Sequence, residues 1–238
     1  MSTPQRVALV TGASAGIGRA TALALGRAGY AVGVCARRAG PLGEVIAELR
    51  AAGISAAGQP CDVGDPEGVR ALVAHIEATL GPIDVLVNNA GVGILKPISE
   101  LTLEDWDITF ASNVRSLFLV TKAVLGGMRE RRRGFVINVS SLAGRNGFNG
   151  GTAYAASKHA VLGFSSSLLA EVRQEGVRVL AICPGSVDTD LRRDQPLMGA
   201  MSTDRMLRPE DVAAVIMDAL SLPDRALVSE LDVRPAAP

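Results

Sequence analysis

Residues Thr11–Gly18 read TGASAGIG, and their setting decides the fold. Just before them, Arg6–Thr11 (RVALVT) is a short apolar, β-branched run that predicts a strand, and just after them Gly18–Ala28 has helical spacing. Gly12, Gly16 and Gly18 therefore stand in a strand-to-helix turn. One permits the tight bend, one lets the backbone approach a pyrophosphate, and one lets helix pack on strand. The free N–H groups of the helix N-terminus point at the same anion, which makes Ser14, Ala15 and Ile17 candidate contacts too. The same residues also spell G-x-S-x-G at Gly12–Gly16, the pattern of a hydrolase nucleophile elbow. That chemistry needs earlier strands to carry an oxyanion loop, and only eleven residues precede Gly12. It needs a histidine base as well; His75 and His159 are the only two, and His75 falls in a polar amphipathic stretch expected at the surface. A dinucleotide site is the better reading.

Outward from this turn, strand-like and helix-like segments alternate. Tyr30–Ala36, Asp84–Val87, Phe135–Val139 and Val177–Ile182 are continuous apolar runs, as expected of strands buried on both faces. Helical spacing covers Pro41–Ala52, Pro66–Leu80, Leu103–Arg132 and Tyr154–Gln174, and Gly29, Gly53, Gly81, Gly134 and Gly176 each stand just past a helical run. The pattern predicts an α/β protein: a single Rossmann-fold domain over residues 1–238, with a doubly wound, mostly parallel seven-stranded sheet and helices on both faces.

Composition narrows the function. Hydrophobic residues make up 48% of the chain, which excludes a disordered protein. Lys plus Arg equals Asp plus Glu at 24 each, so no global field draws the chain to nucleic acid or anionic lipid, and neither is expected as a partner. Only three of the cations are Lys, a bias that fits a GC-rich genome or heat adaptation. Cys35, Cys61 and Cys183 are widely spaced and odd in number, so a disulfide framework or metal site is not expected. With no leader-like start and no long unbroken apolar segment, the expectation is a reduced, cytoplasmic protein outside the membrane. The run Arg129–Arg133 (RERRR) closes a helical segment, where cations suit the negative end of the helix dipole.

Nineteen residues after Gly18, the second strand ends in Ala36-Arg37-Arg38. An acid here would bond ribose hydroxyls and favour NAD, whereas two arginines can pair with a 2′-phosphate, so NADP (NADPH) is expected. Tyr154 and Lys158 (YAASK) are four apart and share a helix face. A nearby ammonium would stabilise a phenolate and bring a phenol towards acid–base work. Ser141 stands just past the strand FVINV, where its hydroxyl can face a reacting carbonyl.

At this point the chain resembles the short-chain dehydrogenase/reductase family along essentially its whole length. The motifs fall in the family's order: TGASAGIG at Thr11–Gly18, CDV at Cys61–Val63, NNAG at Asn88–Gly91, NV at Asn113–Val114, INVSS at Ile137–Ser141, YAASK at Tyr154–Lys158 and PGSVDT at Pro184–Thr189. The resemblance implies that Asp62 and Val63 hold the adenine, and that Asn89, Ala90 and Gly91 line the adenine ribose region while Asn88 helps to fix that turn. It implies that Pro184, Gly185, Val187 and Thr189 embrace the nicotinamide, and that Lys158 bonds its ribose. Asn113 would interrupt its helix and hold a water linking Lys158 to solvent. Ser141 and Tyr154 would meet the carbonyl oxygen of a small-molecule ketone or aldehyde, Tyr154 as general acid, or as base in the alcohol direction.

The resemblance also assigns substrate contacts to Gly93–Pro97, Arg145–Gly151 and a lid at about 190–207, in which Met198, Met201 and Met206 either line an apolar pocket or pack the lid. Arg192 and Arg193 are read as solvated, with an acidic substrate as the alternative. Val228–Pro235 resembles the last strand of reductases acting on hydroxy acids and simple ketones, and lacks the glycine-rich ending of 3-oxoacyl-carrier reductases. A carrier-linked 3-oxoacyl substrate, or a non-catalytic NADP-binding regulator, remains the alternative. A homo-oligomer, tetramer or dimer, is expected through Leu103–Arg132 and Tyr154–Gln174. The small residues around Tyr154–Leu169 support a second buried face there.

Overall fold

The computed structural model describes residues 5–193, 202–223 and 225–236. Seven parallel strands form one sheet: β1 (Val7–Thr11), β2 (Ala31–Ala36), β3 (Ala56–Pro60), β4 (Ile83–Asn88), β5 (Gly134–Val139), β6 (Val177–Pro184) and β7 (Glu230–Val233). Their order is β3-β2-β1-β4-β5-β6-β7. The chain reverses direction of winding between β1 and β4, and a crevice opens beyond the C-terminal ends of those strands, where ligands bind in such sheets.

Every residue of β1, β2, β4 and β5 is buried, because helices cover both faces. On one face Ala8, Val10, Val34 and Ile182 pack under α1 (Gly16–Arg27), α2 (Ala39–Ala51) and α8 (Pro209–Ser221), through Leu25, Leu49 and Ile216. On the other, Val7, Leu9 and Val136 meet α3 (Pro66–Leu80), α5 (Ser116–Glu130) and α6 (Thr152–Val172), through Ile76, Val124 and Leu168. Asp65 caps α3, accepting from the amide of Gly68 at 2.9 Å, with Pro66 in the first turn.

Three elements depart from the sequence pattern. The sequence of β3, AAGQP, carries a glycine and a proline that argue against a central strand, but β3 is an edge, where both are tolerated. Helix α8 starts at Pro209 and packs on α1, and Asp211 returns to accept from the Arg208 amide at 2.7 Å. The expected helix Leu103–Arg132 is divided: α4 (Leu103–Phe110) widens into a π-helical turn at Ala111–Arg115 before α5.

By length and composition the run Leu103–Glu130 could cross a membrane, with mean hydropathy 1.3 in its richest window. It does not stand out in the sequence as an unbroken apolar segment, because Asn113 and Arg115 interrupt it. In the fold Val120, Val124 and Met128 bury against the sheet.

The arginine run is consumed inside the chain. Arg129 donates to Glu175 at 2.6 Å, Arg131 to the Ile83 carbonyl and Arg132 to the Gln174 carbonyl, both at 2.8 Å, and Arg133 to Asp84 at 2.7 Å. The three cysteines are free and buried. Burial pushes the Cys35 thiol up to about 12 and the Cys61 thiol up to about 11, so both stay protonated and unreactive at neutral pH.

Candidate active site

The crevice between β1 and β4 holds a cleft of about 1080 Å³, a size suited to a dinucleotide with a substrate beside it. All of the candidate residues line it except Gly18 and Asn113. Gly18 lies beneath the turn: a Cβ there would stand 2.4 Å from the Gly12 carbonyl oxygen. Gly12 and Gly16 have φ of 63° and 54°, a left-handed conformation that glycine adopts without strain. No side chain caps α1, whose preceding residue Ala15 is extended, so the first amides face the cleft as an anion cradle.

Asn89 braces this cradle from β4. Its Nδ2 donates to the carbonyls of Thr11 at 3.0 Å and Gly12 at 3.1 Å, and its own amide donates to Thr11 Oγ1 at 3.1 Å. Asn89 thereby holds the start of the glycine turn. Asn88 instead turns into the core, donating to Thr121 Oγ1 at 3.0 Å and Asn138 Oδ1 at 2.9 Å. At one end of the cleft, exposed Arg37 and Arg38 close β2 and Asp62 follows β3, its carboxylate accepting from the Gly64 amide at 2.9 Å.

At the other end, α6 presents Tyr154 and Lys158 on one face, both buried. Ser141 follows β5, accepts from the Ala143 amide at 3.1 Å and donates to the Pro184 carbonyl at 3.4 Å. Its hydroxyl neighbours the Tyr154 phenol in the cleft wall. Lys158 Nζ lies 5.8 Å from the Tyr154 ring centre and donates to the Val139 carbonyl at 3.0 Å. Burial pushes the Tyr154 phenol above its usual value, with the neighbouring Ser141 hydroxyl opposing, and pulls Lys158 down to about 8. In place of the expected lowering of the phenol by the ammonium, desolvation dominates and penalises both charged forms.

Asn113 sits one layer behind, in the π-helical turn. Its Oδ1 accepts from the Val92 amide at 2.7 Å, and its Nδ2 donates to the Val92 carbonyl and Ser157 Oγ, both at 2.9 Å. A Cβ on Gly91 would stand 2.9 Å from that Oδ1 and 3.7 Å from Lys158 Nζ, so asparagine and lysine flank one glycine. A cavity of about 10 Å³, lined by Asn113, Asn88 and Ser116 and by apolar side chains such as Val120 and Val161, has room for about one water.

Of the substrate segments, Gly93, Asn146 and Phe148 line the cleft, whereas Lys96 is tied to Asp105 at 2.7 Å. Asp190–Arg193 form a short helix α7, and Val187 bridges to Leu207. Residues 194–201 of the expected lid, with Met198 and Met201, lie outside the described residues; Met206 does not reach the cleft lining. Arg193 is exposed as expected, but Arg192 is buried and lines the cleft. Arg145, which no sequence motif singles out, bonds Glu230 at 2.7 Å and Asp232 at 2.8 Å, tying the turn after Ser141 to β7.

A glycine cradle, a long crevice at the sheet's reversal point and a Ser–Tyr–Lys cluster define a nicotinamide-dependent oxidoreductase of the doubly wound class. The model of the short chain dehydrogenase family matches residues 6–198, and the chain belongs to that family. It is 38% identical over 222 residues to the 3-oxoacyl-[acyl-carrier-protein] reductase of Pseudomonas aeruginosa, covering 91% of this chain and 90% of that one. Among solved structures it is similar to a single-site variant of actinorhodin polyketide ketoreductase with NADPH (TM-score 0.91, 36% identity, 99% and 98% of the two chains). A metagenomic short-chain oxidoreductase in complex with NADP gives a TM-score of 0.84 at 37% identity, over 97% of each chain. The protein is an oxidoreductase acting on the carbonyl/CH–OH pair.

Proposed function

We propose that the protein reduces small-molecule ketones or aldehydes to alcohols with NADPH, reversibly. The observation that carries this reading is the grouping of Ser141, Tyr154 and Lys158 at one end of the cleft whose far end carries Arg37 and Arg38. When bound, the nicotinamide supplies hydride to the carbonyl carbon. Ser141 and Tyr154 donate to the carbonyl oxygen as its charge grows, and Tyr154 passes its proton to that oxygen as general acid. The raised phenol is suited to this role, since it holds the proton until it is needed. Lys158, linked to solvent by a water that Asn113 holds, carries the replacement proton. Gly12, Ser14, Ala15, Gly16, Ile17 and Gly18 cradle the diphosphate. Asp62, Val63, Asn89, Ala90 and Gly91 line the adenosine, and Pro184, Gly185, Val187 and Thr189 the nicotinamide. Arg37 and Arg38 meet the 2′-phosphate, a charge-assisted contact, which selects NADP over NAD.

The name of the Pseudomonas relative favours a second reading, a carrier-linked 3-oxoacyl substrate. One assay addresses both: a panel of ketones, aldehydes and a 3-oxoacyl thioester, followed by NADPH absorbance. Reduction of small carbonyls supports the first reading, reduction of the thioester alone supports the second, and no turnover on any of them counts against both.

The protein acts in the cytoplasm as a single domain, and as a homo-oligomer, most simply a tetramer. The oligomer is supported by apolar residues left open along α4 and α5: Leu103, Ile108 and Phe118 are 75%, 40% and 46% exposed.

A further inference from the structure

The last strand, β7, is an edge strand of four residues, held among the described residues by one neighbour, β6. Successive side chains of a strand face opposite ways, so Glu230 and Asp232 share a face. Arg145 spans that face: its Nη2 bonds Glu230 at 2.7 Å and its Nε bonds Asp232 at 2.8 Å. Asp232 also takes Arg234 at 3.1 Å, which makes the cluster a network rather than a pair. An isolated exposed ion pair contributes little, but here a forked guanidinium is shared by two carboxylates, with the three side chains only 33%, 36% and 31% exposed.

What the fork joins gives it a part in the chemistry. Arg145 closes the short 3₁₀ turn Leu142–Gly144, its amide donating to the Leu142 carbonyl at 3.0 Å. Ser141 caps the start of that turn, and its Oγ accepts from the Ala143 amide at 3.1 Å. The same hydroxyl donates to the Pro184 carbonyl at 3.4 Å, a long contact that rotation about the C–O bond can exchange for an oxygen in the cleft. Pro184 is in turn placed by β7: Val233 lies opposite it, and the Gly185 amide donates to the Val233 carbonyl at 2.8 Å. The contacts close a ring, from Ser141 through the turn to Arg145, across to Asp232, along β7 to Val233, and back by Pro184 to Ser141. Packing holds the turn from another side, since a Cβ on Gly144 would stand 2.7 Å from the Lys158 carbonyl oxygen.

We propose that Arg145 is a positioning residue for carbonyl reduction: by clamping the turn after Ser141 to β7, it holds the Ser141 hydroxyl where it donates to the carbonyl oxygen. This rests on the reductase reading above and adds a residue to it. A donor aimed at growing charge is effective because it is fixed before the reaction, and a displacement of about 1 Å can cost about a hundredfold in rate. Arg145 touches neither the substrate nor the cofactor in this account; it acts through Ser141.

A double-substitution cycle tests the proposal, read on the carbonyl that wild type reduces fastest. Arg145→Ala lowers kcat about tenfold, with the carbonyl's KM within about threefold of wild type. In a Ser141→Ala background the same change lowers kcat by less than about twofold, because the residue it positions is already gone. Asp232→Asn repeats the pattern from the other end of the clamp. Equal losses in the two backgrounds overturn the proposal, since they show a general loosening, and so does an Arg145→Ala protein with wild-type kcat. Hydrogen exchange gives a readout without turnover: Arg145→Ala speeds exchange of the Ala143 amide by about fivefold and leaves β1 and β4 unchanged. Unchanged exchange at Ala143 overturns the clamp. A silent carbonyl panel beside faster exchange at Ala143 sinks the reductase reading and supports the positioning of Ser141 by Arg145.

Discussion

The ammonium of Lys158 donates to the carbonyl oxygen of Val139 at 3.0 Å, joining α6 to the last residue of β5. The catalytic helix and the strand that delivers Ser141 are thereby held together by a group that also faces the cleft. Ser140 adds a second tie, donating to the Lys158 carbonyl at 2.9 Å.

A pH dependence follows. Burial lowers Lys158 to about 8 from 10.5, so the folded protein releases this proton before the unfolded chain does. Between those values the unfolded state binds more protons, and stability rises with pH across that window. Below it the full cost of burying the charge is present. In cofactor-free protein, Lys158→Met therefore gains melting temperature relative to wild type at neutral pH, and the gain fades as pH passes through 8 towards 10.5. Melts across this range check the point; a difference independent of pH contradicts it.

Cofactor choice turns on the exposed end of β2. Two charge-assisted contacts of about 1.5 kcal/mol each give NADPH at least a tenfold preference over NADH. Arg37→Asp reverses the order, because an acid accepts from ribose hydroxyls and repels the phosphate. Fluorescence titration of both cofactors decides it, and equal affinities in wild type rule the assignment out.

Asp84 is 5% exposed and takes the Val7 amide at 3.1 Å as well as Arg133 at 2.7 Å. Asp84→Ala leaves a buried amide unsatisfied and costs about 1–3 kcal/mol, whereas Arg133→Ala, at a half-exposed guanidinium, costs less than about 1 kcal/mol. Urea unfolding of the two variants measures the gap; equal losses would show that the amide contact matters little.

Assembly is tested by sedimentation at micromolar concentration. Wild type runs at about four times the single-chain mass of 24.6 kDa, and Phe118→Asp, or a charge at Ala160 or Ser167, releases smaller species with a lower melting temperature. A wild type that sediments as a single chain contradicts the proposed oligomer.

Much of this was legible in the sequence, and the reasons are local. Buried parallel strands such as VALVT and FVINV announce themselves as unbroken apolar runs, and the Thr11–Gly18 turn needs glycines whatever surrounds it. Edge strand β3 was not legible, since an edge relaxes the very rules against Gly and Pro that reveal a strand. Helix α8 lies outside the helices expected from the sequence, although its buried Val212, Ile216, Ala219 and Leu220 stand at helical spacing. The Asn89 brace and the Arg145 clamp depend on partners 77 and 87 residues away, which no local pattern encodes. Burial misled the chemistry as well: proximity of Lys158 to Tyr154 suggested a lowered phenol, but the depth of both groups is visible only in the fold.

The central claim is that Tyr154 is the proton donor in NADPH-dependent carbonyl reduction. The most direct measurement compares wild type with Tyr154→Phe on whichever carbonyl of the panel wild type reduces fastest, with NADPH affinity determined alongside. The ring still packs in its buried site and only the hydroxyl is lost, so kcat falls by about a hundredfold or more while NADPH binds within about twofold of wild type. A Tyr154→Phe protein that keeps a large share of wild-type turnover would contradict the account.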